Sequence, residues 1–259
     1  MSPAKQWIEA RLLPRGWVDP LRNGALFVVA FVFYDLVRKA VAHGNPYKPF
    51  GDARKIVDFE RGLHIFVEPS IQAWAGSVHW LTVALTWAYL NTQFVITFAA
   101  FAFIYVRHNE SFRFVRNMFL IAMGLALLVY WLFPAAPPRL FPGLGFTDPV
   151  SQLLIGGTSP ADYTREASVT NMYAAVPSMH VCFAVMLAWS MARVVSSQWA
   201  KFSCALYPLL VTFVVVATAN HFFVDAFLGF VTAGVAAVLA RSLTVRQRAQ
   251  AQAFGHATA

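Results

Sequence analysis

Six apolar stretches, each long enough to cross a lipid bilayer, constrain the fold of this chain more than any other feature. They lie near 24–42, 80–106, 114–133, 176–196, 202–220 and 222–241. A helix needs ~20 mostly apolar residues to span the hydrocarbon core, and its backbone polar groups must be paired internally. Because 58% of the 259 residues are hydrophobic, the sequence predicts an all-α, polytopic membrane protein built as a six-transmembrane helix bundle.

The remaining segments indicate one membrane domain with short flanks. Residues 1–23 predict an amphipathic cytoplasmic lead-in, since they lack the apolar core and cleavage site of a signal peptide. Residues 24–241 predict the membrane domain, with an outer loop over 134–175, and residues 242–259 predict a cytoplasmic tail. No separate soluble domain is expected.

A polar segment between the first two spans predicts an amphipathic helix at the membrane interface, over residues 52–70. Its apolar positions recur at helical spacing, with charges on the opposite face. They are Ile56, Phe59, Leu63, Phe66 and Val67.

The distribution of Lys and Arg predicts the orientation, because cytoplasmic loops are enriched in these residues. With the N-terminus inside, twelve of the twenty basic residues lie on that side: Lys5, Arg11, Arg15, Arg22, Arg107, Arg113, Arg116, Arg193, Lys201, Arg241, Arg246 and Arg248. We therefore expect a multi-pass protein of the inner (plasma) membrane with both termini cytoplasmic. The starts of spans four and six and the ends of spans three and five then face the extracytoplasmic side.

Charge and cysteine content exclude several classes of partner. The net charge of +8 does not indicate nucleic-acid binding, because its basic residues are dispersed among hydrophobic segments. Cys182 and Cys204 lie in apolar runs, where a thiol behaves as a small hydrophobe. We expect no disulfide framework and no metal cluster, and the expected partners are the bilayer and a lipid. The sequence indicates no oligomeric state.

The first polar interruption of the apolar pattern is "WLFPAAPPRLFPG". Its prolines end the third span and place Arg139 at the membrane surface. An arginine in this position commonly anchors a helix end, but a guanidinium also binds anions. Arg139 is therefore a candidate phosphate ligand.

The second interruption opens the fourth span, in "AAVPSMHVCF". Pro177 suits the first turn of a helix and Ser178 suits its cap. The free N–H groups of such a helix end can hold a phosphate, and His180 would stand beside it. The alternative is an interfacial histidine that is merely hydrated.

The third interruption is "HFFVD", in which His221 and Asp225 are four residues apart and so share a helix face. A carboxylate at that distance can accept a hydrogen bond from the ring N–H and raise the basicity of the other nitrogen. Ionisable pairs within a membrane are costly and indicate function, although a helix-stabilising ion pair is the alternative. Together with Arg139 and His180, the pair predicts a phosphoryl-transfer site that needs no metal or cofactor.

The motifs "PPRL", "PSMH" and "HFFVD" resemble, in the same order, the three blocks of the type 2 phosphatidic acid phosphatase superfamily, the membrane relatives of vanadium-dependent haloperoxidases. The resemblance in organisation covers about residues 55–240. The contexts "NMYAAVPSMH" and "ATANHFFVDAFLG" are most similar to the subgroup that includes inositol phosphorylceramide synthases and actinobacterial membrane lipid phosphatases.

The resemblance implies a role for each motif residue. His221 would attack phosphorus to form a phosphohistidine, oriented by Asp225, while His180 would serve first as general acid and then as general base. Phosphate oxygens would be stabilised by Arg139, Ser178 and Met179. Three further residues are accessory candidates: Arg165, Asn220 and Tyr173.

The chain also departs from the family pattern. Leu132 stands where the first block often has a lysine, Val215 where the third has an arginine, and Met179 replaces a glycine. Two basic phosphate ligands are thus missing. Either outer-loop charges replace them, or the substrate is a phosphodiester with less charge at phosphorus; the candidate charges are Arg165, Arg61, Arg54 and Lys48.

Four functions are compatible with the sequence. Hydrolysis of a lipid phosphate at the outer face is favoured slightly over head-group transfer of the inositol phosphorylceramide synthase kind, because water needs no acceptor pocket. A lipid transporter or scramblase would need polar residues at mid-membrane depth, and only Asn91, Thr92 and Gln93 qualify. An isoprenoid-diphosphate lyase would ordinarily need clustered carboxylates that hold magnesium. The carboxylates Asp58, Glu60 and Glu68 are scattered in the sequence.

Overall fold

The computed structural model describes residues 16–42, 47–156 and 173–257. These residues form nine α-helices: α1 Val18–Ala42, α2 Lys48–Gly62, α3 Glu68–Gly76, α4 His79–Arg107, α5 Asn109–Leu132, α6 Pro149–Ile155, α7 Met179–Val194, α8 Gln198–Ala217 and α9 Phe223–Ala257. Two short 3-10 turns follow α5, at Pro138–Leu140 and Pro142–Leu144. The predicted all-α class is confirmed.

Five of the described helices are long and apolar enough to cross a membrane, namely α1, α4, α5, α8 and α9. The prediction of a multi-pass membrane protein is therefore supported. Helix α7 occupies the place of the fourth predicted span but has 16 residues, about 24 Å at 1.5 Å per residue, against a hydrocarbon core of about 30 Å. The count of six crossings stays a prediction.

Helix α7 lies at the centre of the helix packing, against α4, α5, α8 and α9. Its first turn contacts α9 at Gly229, where an added Cβ would lie 2.6 Å from the Ser178 carbonyl oxygen and 3.2 Å from the Cys182 nitrogen. Small residues let helix backbones approach in membranes. Gly229 therefore allows the start of α7 and the first turns of α9 to lie side by side.

The segment predicted as one amphipathic helix over 52–70 forms parts of two helices, so that prediction is wrong in detail. Helix α2 ends at Gly62, His64 has a left-handed φ of 60°, and α3 begins at Glu68 with Pro69 in its first turn. Proline fits that position but not a helix interior.

Helix α2 buries one face against the rest of the protein. Phe59 and Leu63, two residues of the apolar face predicted for the membrane interface, are 57% and 54% exposed in the protein. The buried residues of α2 are Pro49, Asp52, Ala53, Ile56, Val57 and Glu60. The sequence pattern did not predict that two of these buried residues, Asp52 and Glu60, carry carboxyl groups.

Both predicted flanks overlap with helices. Residues 18–23 of the predicted lead-in belong to α1, and residues 1–15 lie outside the described residues. Helix α9 continues through the predicted tail to Ala257.

Candidate active site

His221 lies in a tight turn, residues 218–222, that joins α8 to α9. Ala219 has a left-handed φ of 52°, and the backbone N–H groups of Asn220 and His221 both donate to the Val215 carbonyl, at 2.9 and 3.2 Å. These bonds close the end of α8 and turn the chain back into the bundle. His221 is thereby held at the start of α9 and is 5% exposed.

Asp225 lies beside His221, as the four-residue spacing predicts. The His221 Nδ1 and Asp225 Oδ2 atoms are 3.5 Å apart, and Oδ2 accepts a hydrogen bond from the Phe222 N–H at 2.8 Å. The predicted hydrogen bond from the ring to Asp225 is not formed in this structure. Asp225 Oδ1 has no hydrogen-bond partner among the described residues, so the carboxylate retains acceptor capacity beside the ring.

The environment of His221 keeps its ring neutral. Burial lowers the pKa of His221 to about 3, hydrogen bonding with the Ala175 backbone acts in the opposite direction, and the charge on Arg139 lowers the pKa further. Desolvation disfavours the charged imidazolium. A neutral imidazole has a nitrogen lone pair and can therefore act as a nucleophile at neutral pH.

His180 lies in the first turn of α7, and its ring centroid is 6.1 Å from that of His221. Its ring stacks on Tyr89 of α4, with centroids 4.3 Å apart and planes 25° from parallel. The Nε2–H donates to the Tyr89 backbone carbonyl at 3.2 Å. Two contacts with α4 thus fix the orientation of His180.

Ser178 caps α7, whereas Pro177 precedes the cap instead of lying in the first turn. The Ser178 Oγ accepts a hydrogen bond from the Val181 N–H at 3.5 Å, and its own N–H donates to the Asp225 carbonyl at 3.0 Å. The cap therefore links the start of α7 directly to the helix that follows His221.

Arg139 is buried beside the His221 turn. Its backbone N–H donates to the Ala219 carbonyl at 2.8 Å, and its Nη1 donates to Asp148 Oδ2 at 2.8 Å and to Ser151 Oγ at 3.4 Å. Asp148 also caps α6 by accepting from the Ser151 N–H at 3.0 Å. The guanidinium is held rigidly, but Asp148 offsets part of its charge.

A cavity of about 1030 Å³ connects these groups with the bundle interior. Arg139, Met179, His180, Asn220 and His221 line it at one end, and the rest of the lining is mostly apolar and comes largely from α1, α4 and α5. Along α4 the lining residues run from Tyr89 to Tyr105 and beyond, and those sixteen positions correspond to about 24 Å. The polar groups stand at the head of a long apolar channel.

The other predicted site residues lie elsewhere. Tyr173 packs against Phe50, with ring centroids 6.0 Å apart, and Arg165 lies outside the described residues. Lys48 donates to the Leu132 carbonyl at 3.1 Å, and Arg61 stands over the Phe66 ring. Neither these two basic residues nor Arg54 lines the cavity as far as the structure describes the chain.

Sequence reasoning missed Tyr89 and Asp148. The Asp148-Pro149 pair is a helix-start signal, an N-cap followed by proline at the first position, and this signal identifies Asp148 as a cap. No local pattern marks Tyr89, because its contact with His180 joins residues 91 positions apart.

A comparison with known protein families identifies the family of this chain. The family model of the PAP2 superfamily matches residues 54–239, from α2 into α9, and the chain belongs to this superfamily. Neither a curated protein nor a solved structure matches it. Membership indicates a phosphatase-type enzyme, with phosphatase or phosphotransferase activity on lipid phosphates.

Proposed function

We propose that this protein is a membrane lipid phosphatase or phosphotransferase that works through a phosphohistidine at His221. The observation that carries the proposal is the convergence of Arg139, His180 and His221 at the head of one apolar cavity. That arrangement suits a substrate with an anionic phosphate at one end and a hydrocarbon chain at the other. Membership of the PAP2 superfamily supports the same chemistry.

In the first step, a neutral ring nitrogen of His221 attacks phosphorus, a P–N bond forms, and the bond from phosphorus to the leaving oxygen breaks. His180 donates a proton to that oxygen. In the second step, His180 takes a proton from water, the resulting hydroxide forms a P–O bond, and the P–N bond breaks to restore His221. Asp225 would stabilise the positive charge that develops on the His221 ring.

The phosphate oxygens would be held between Arg139 and the first turn of α7 at Met179 and His180. A helix N-terminus presents backbone N–H groups and a partial positive charge to an anion. Arg139 is pre-oriented by Asp148, so little conformational entropy is lost when phosphate binds. Ser178 supports this pocket as the cap of α7. Asn220 borders the same end of the cavity, and Arg165 lies outside the described residues.

The apolar part of the cavity would hold the hydrocarbon of the substrate. Its length of about 24 Å along α4 approaches the thickness of the hydrocarbon core. We place the phosphate end at the extracytoplasmic side of the inner membrane, with both termini cytoplasmic, as the Lys and Arg distribution predicts.

Head-group transfer is the second candidate function, and one observation favours it. Arg139 is paired with Asp148 at 2.8 Å, and Leu132 and Val215 replace two basic residues of the family pattern. A phosphodiester carries less negative charge at phosphorus than a monoester and suits this reduced positive charge. In that case a lipid hydroxyl would take the place of water in the second step, as in inositol phosphorylceramide synthases.

The test is phosphate release from a panel of lipid monophosphates, diphosphates and phosphodiesters, with and without a second lipid bearing free hydroxyls. Release without the acceptor supports a phosphatase, and a new phospholipid formed only with the acceptor supports a transferase. Flux of labelled lipid across vesicles without any chemical turnover would contradict both and favour a scramblase. Loss of turnover on chelation of divalent cations by EDTA would contradict the metal-independent mechanism and favour a lyase.

A further inference from the structure

Two glutamates from separate helices meet at the N-terminus of α9, directly after His221. Glu60, in the last turn of α2, accepts a hydrogen bond from the Val224 N–H at 2.8 Å. Glu68, the first residue of α3, accepts one from the Phe223 N–H at 3.1 Å. Both glutamates are completely buried.

Three consecutive backbone amides of this turn are therefore each bonded to a different carboxyl group. Phe222 donates to Asp225 at 2.8 Å, and the next two amides donate to the glutamates. The first N–H groups of a helix have no partner within the helix, and a single capping side chain satisfies one or two of them. Here α2 and α3 supply two partners from outside the helix.

The second oxygens of the two glutamates have no hydrogen-bond donor among the described residues. Two adjacent buried carboxylates would repel each other, and a buried charge without a partner is costly. Burial raises the pKa of Glu60 to about 9, a hydrogen bond with Glu68 raises it as well, the bond from the Val224 backbone lowers it, and the charges of Glu68 and Asp225 raise it further. Glu60 is thus protonated at neutral pH, and its proton can lie between the two carboxyl groups.

We propose that Glu60 and Glu68 are positioning residues for the nucleophile: a carboxyl pair that shares one proton and holds the Phe223 and Val224 amides, and so fixes the turn that carries His221. The inference rests on the proposed role of His221. Neither glutamate lines the cavity within the described part of the chain, so they act through the backbone and not on the substrate. Through these two residues, α2 and α3 support the turn that carries His221.

The geometry predicts which substitutions are tolerated. In Glu60→Gln the side-chain oxygen can still accept from the Val224 amide, and the NH₂ group can donate to Glu68 in place of the shared proton. In Glu60→Ala or Glu68→Ala one amide of the turn loses its partner. A misplacement of about 1 Å can cost about 10²-fold in rate, so we expect kcat to fall about tenfold or more while KM stays within about twofold.

The experiment compares kcat, KM and the rate of phosphoenzyme formation in Glu60→Ala, Glu68→Ala and Glu60→Gln, using the lipid phosphate that the wild-type protein turns over fastest. Asp52→Asn is the matched control, because Asp52 is a buried carboxylate of the same helix whose partner is Lys55. We expect wild-type kcat in Asp52→Asn and near wild-type kcat in Glu60→Gln.

Three results would overturn the proposal: wild-type kcat in both alanine variants, an effect on KM alone, or a Glu60→Gln variant as impaired as Glu60→Ala. If the alanine variants fail to insert into the membrane, Glu60→Gln becomes the deciding variant. An inactive Glu60→Gln would show that Glu60 must carry a negative charge and would contradict the shared proton. An active His221→Ala variant would instead refute the proposed function. An inactive His221→Ala variant together with a fully active Glu60→Ala variant would refute only the positioning role.

Discussion

The ring of Tyr89 stacks on the ring of His180 at a centroid distance of 4.3 Å, and the Tyr89 carbonyl accepts the hydrogen bond of the His180 Nε2 at 3.2 Å. Tyr89 of α4 therefore fixes both the plane and the tilt of the His180 ring, the proposed general acid. The carbonyl is part of the backbone, so substitution of Tyr89 removes the stack and leaves the hydrogen bond available.

Replacement of Tyr89 by leucine is expected to lower kcat about tenfold, because the imidazole loses the surface that holds its plane. Tyr89→Phe keeps the stacked ring and should stay within about threefold of wild type. Steady-state kinetics on both variants checks the prediction. Equal activity of the leucine and phenylalanine variants would contradict a role for stacking.

Replacement of Gly229 by alanine is expected to separate α9 from the start of α7. The new Cβ would lie 2.6 Å from the Ser178 carbonyl oxygen, which is backbone and cannot rotate away. Overpacking of this kind costs about 2 kcal/mol, and it should lower both thermal stability in detergent and kcat. The control is Gly234→Ala on the same helix, where nothing lies within 4 Å of the added Cβ. A stable, fully active Gly229→Ala variant would refute the close contact.

A large side chain placed halfway along the cavity should impair the binding of substrates with long hydrocarbon chains. Thr97 lines the cavity eight residues after Tyr89, about 12 Å along α4, and Thr97→Trp should raise KM for long-chain lipid phosphates while short-chain substrates are turned over normally. Val95→Trp is the matched control, because Val95 is 65% exposed and points away from the cavity. An equal effect of Thr97→Trp on all chain lengths would show that the hydrocarbon lies elsewhere.

The proton on Glu60 predicts how stability depends on pH. The folded protein keeps this proton up to a pKa of about 9, whereas an exposed glutamate loses it near 4.5. Between these values the folded state binds more protons than the unfolded state, so the free energy of unfolding falls as pH rises. The groups facing Glu60 are Glu68, Asp225 and the Val224 amide.

Thermal unfolding in detergent from pH 5 to 9 measures this dependence. The midpoint of the wild-type protein should fall more steeply with pH than that of Glu60→Gln, which has no proton to lose at this position. Parallel profiles for the two proteins would mean that Glu60 is ionised in the folded state. Asp52→Asn again serves as the control and should keep the wild-type slope.

Much of the fold and of the site could be predicted from the sequence because both depend on local patterns. Apolar stretches indicated the long helices, and the four-residue spacing of His221 and Asp225 placed them side by side. The order of the three motifs led to the family. What local patterns could not give are contacts between distant residues.

The stack of Tyr89 on His180 and the meeting of Glu60 and Glu68 depend on how the helices pack. In the sequence the two glutamates look like surface charges of an interfacial helix, because composition alone favours exposed carboxylates. The two glutamates are buried because the fold places them against the first backbone N–H groups of α9, which have no partner within that helix. The four-residue spacing likewise predicted that His221 and Asp225 are neighbours, but the 3.5 Å between Nδ1 and Oδ2 depends on the exact geometry of the turn, which spacing alone does not give.

The phosphohistidine is the central claim, and trapping it is the most direct test. Wild-type protein and His221→Ala would be incubated with the preferred lipid substrate carrying radiolabelled phosphorus, quenched in alkali to preserve a P–N bond, and examined for protein-bound label. We expect label on the wild-type protein, released by mild acid, and none on His221→Ala, with loss of turnover in that variant although it inserts normally. Label on His221→Ala, or its full turnover of substrate, would contradict the account.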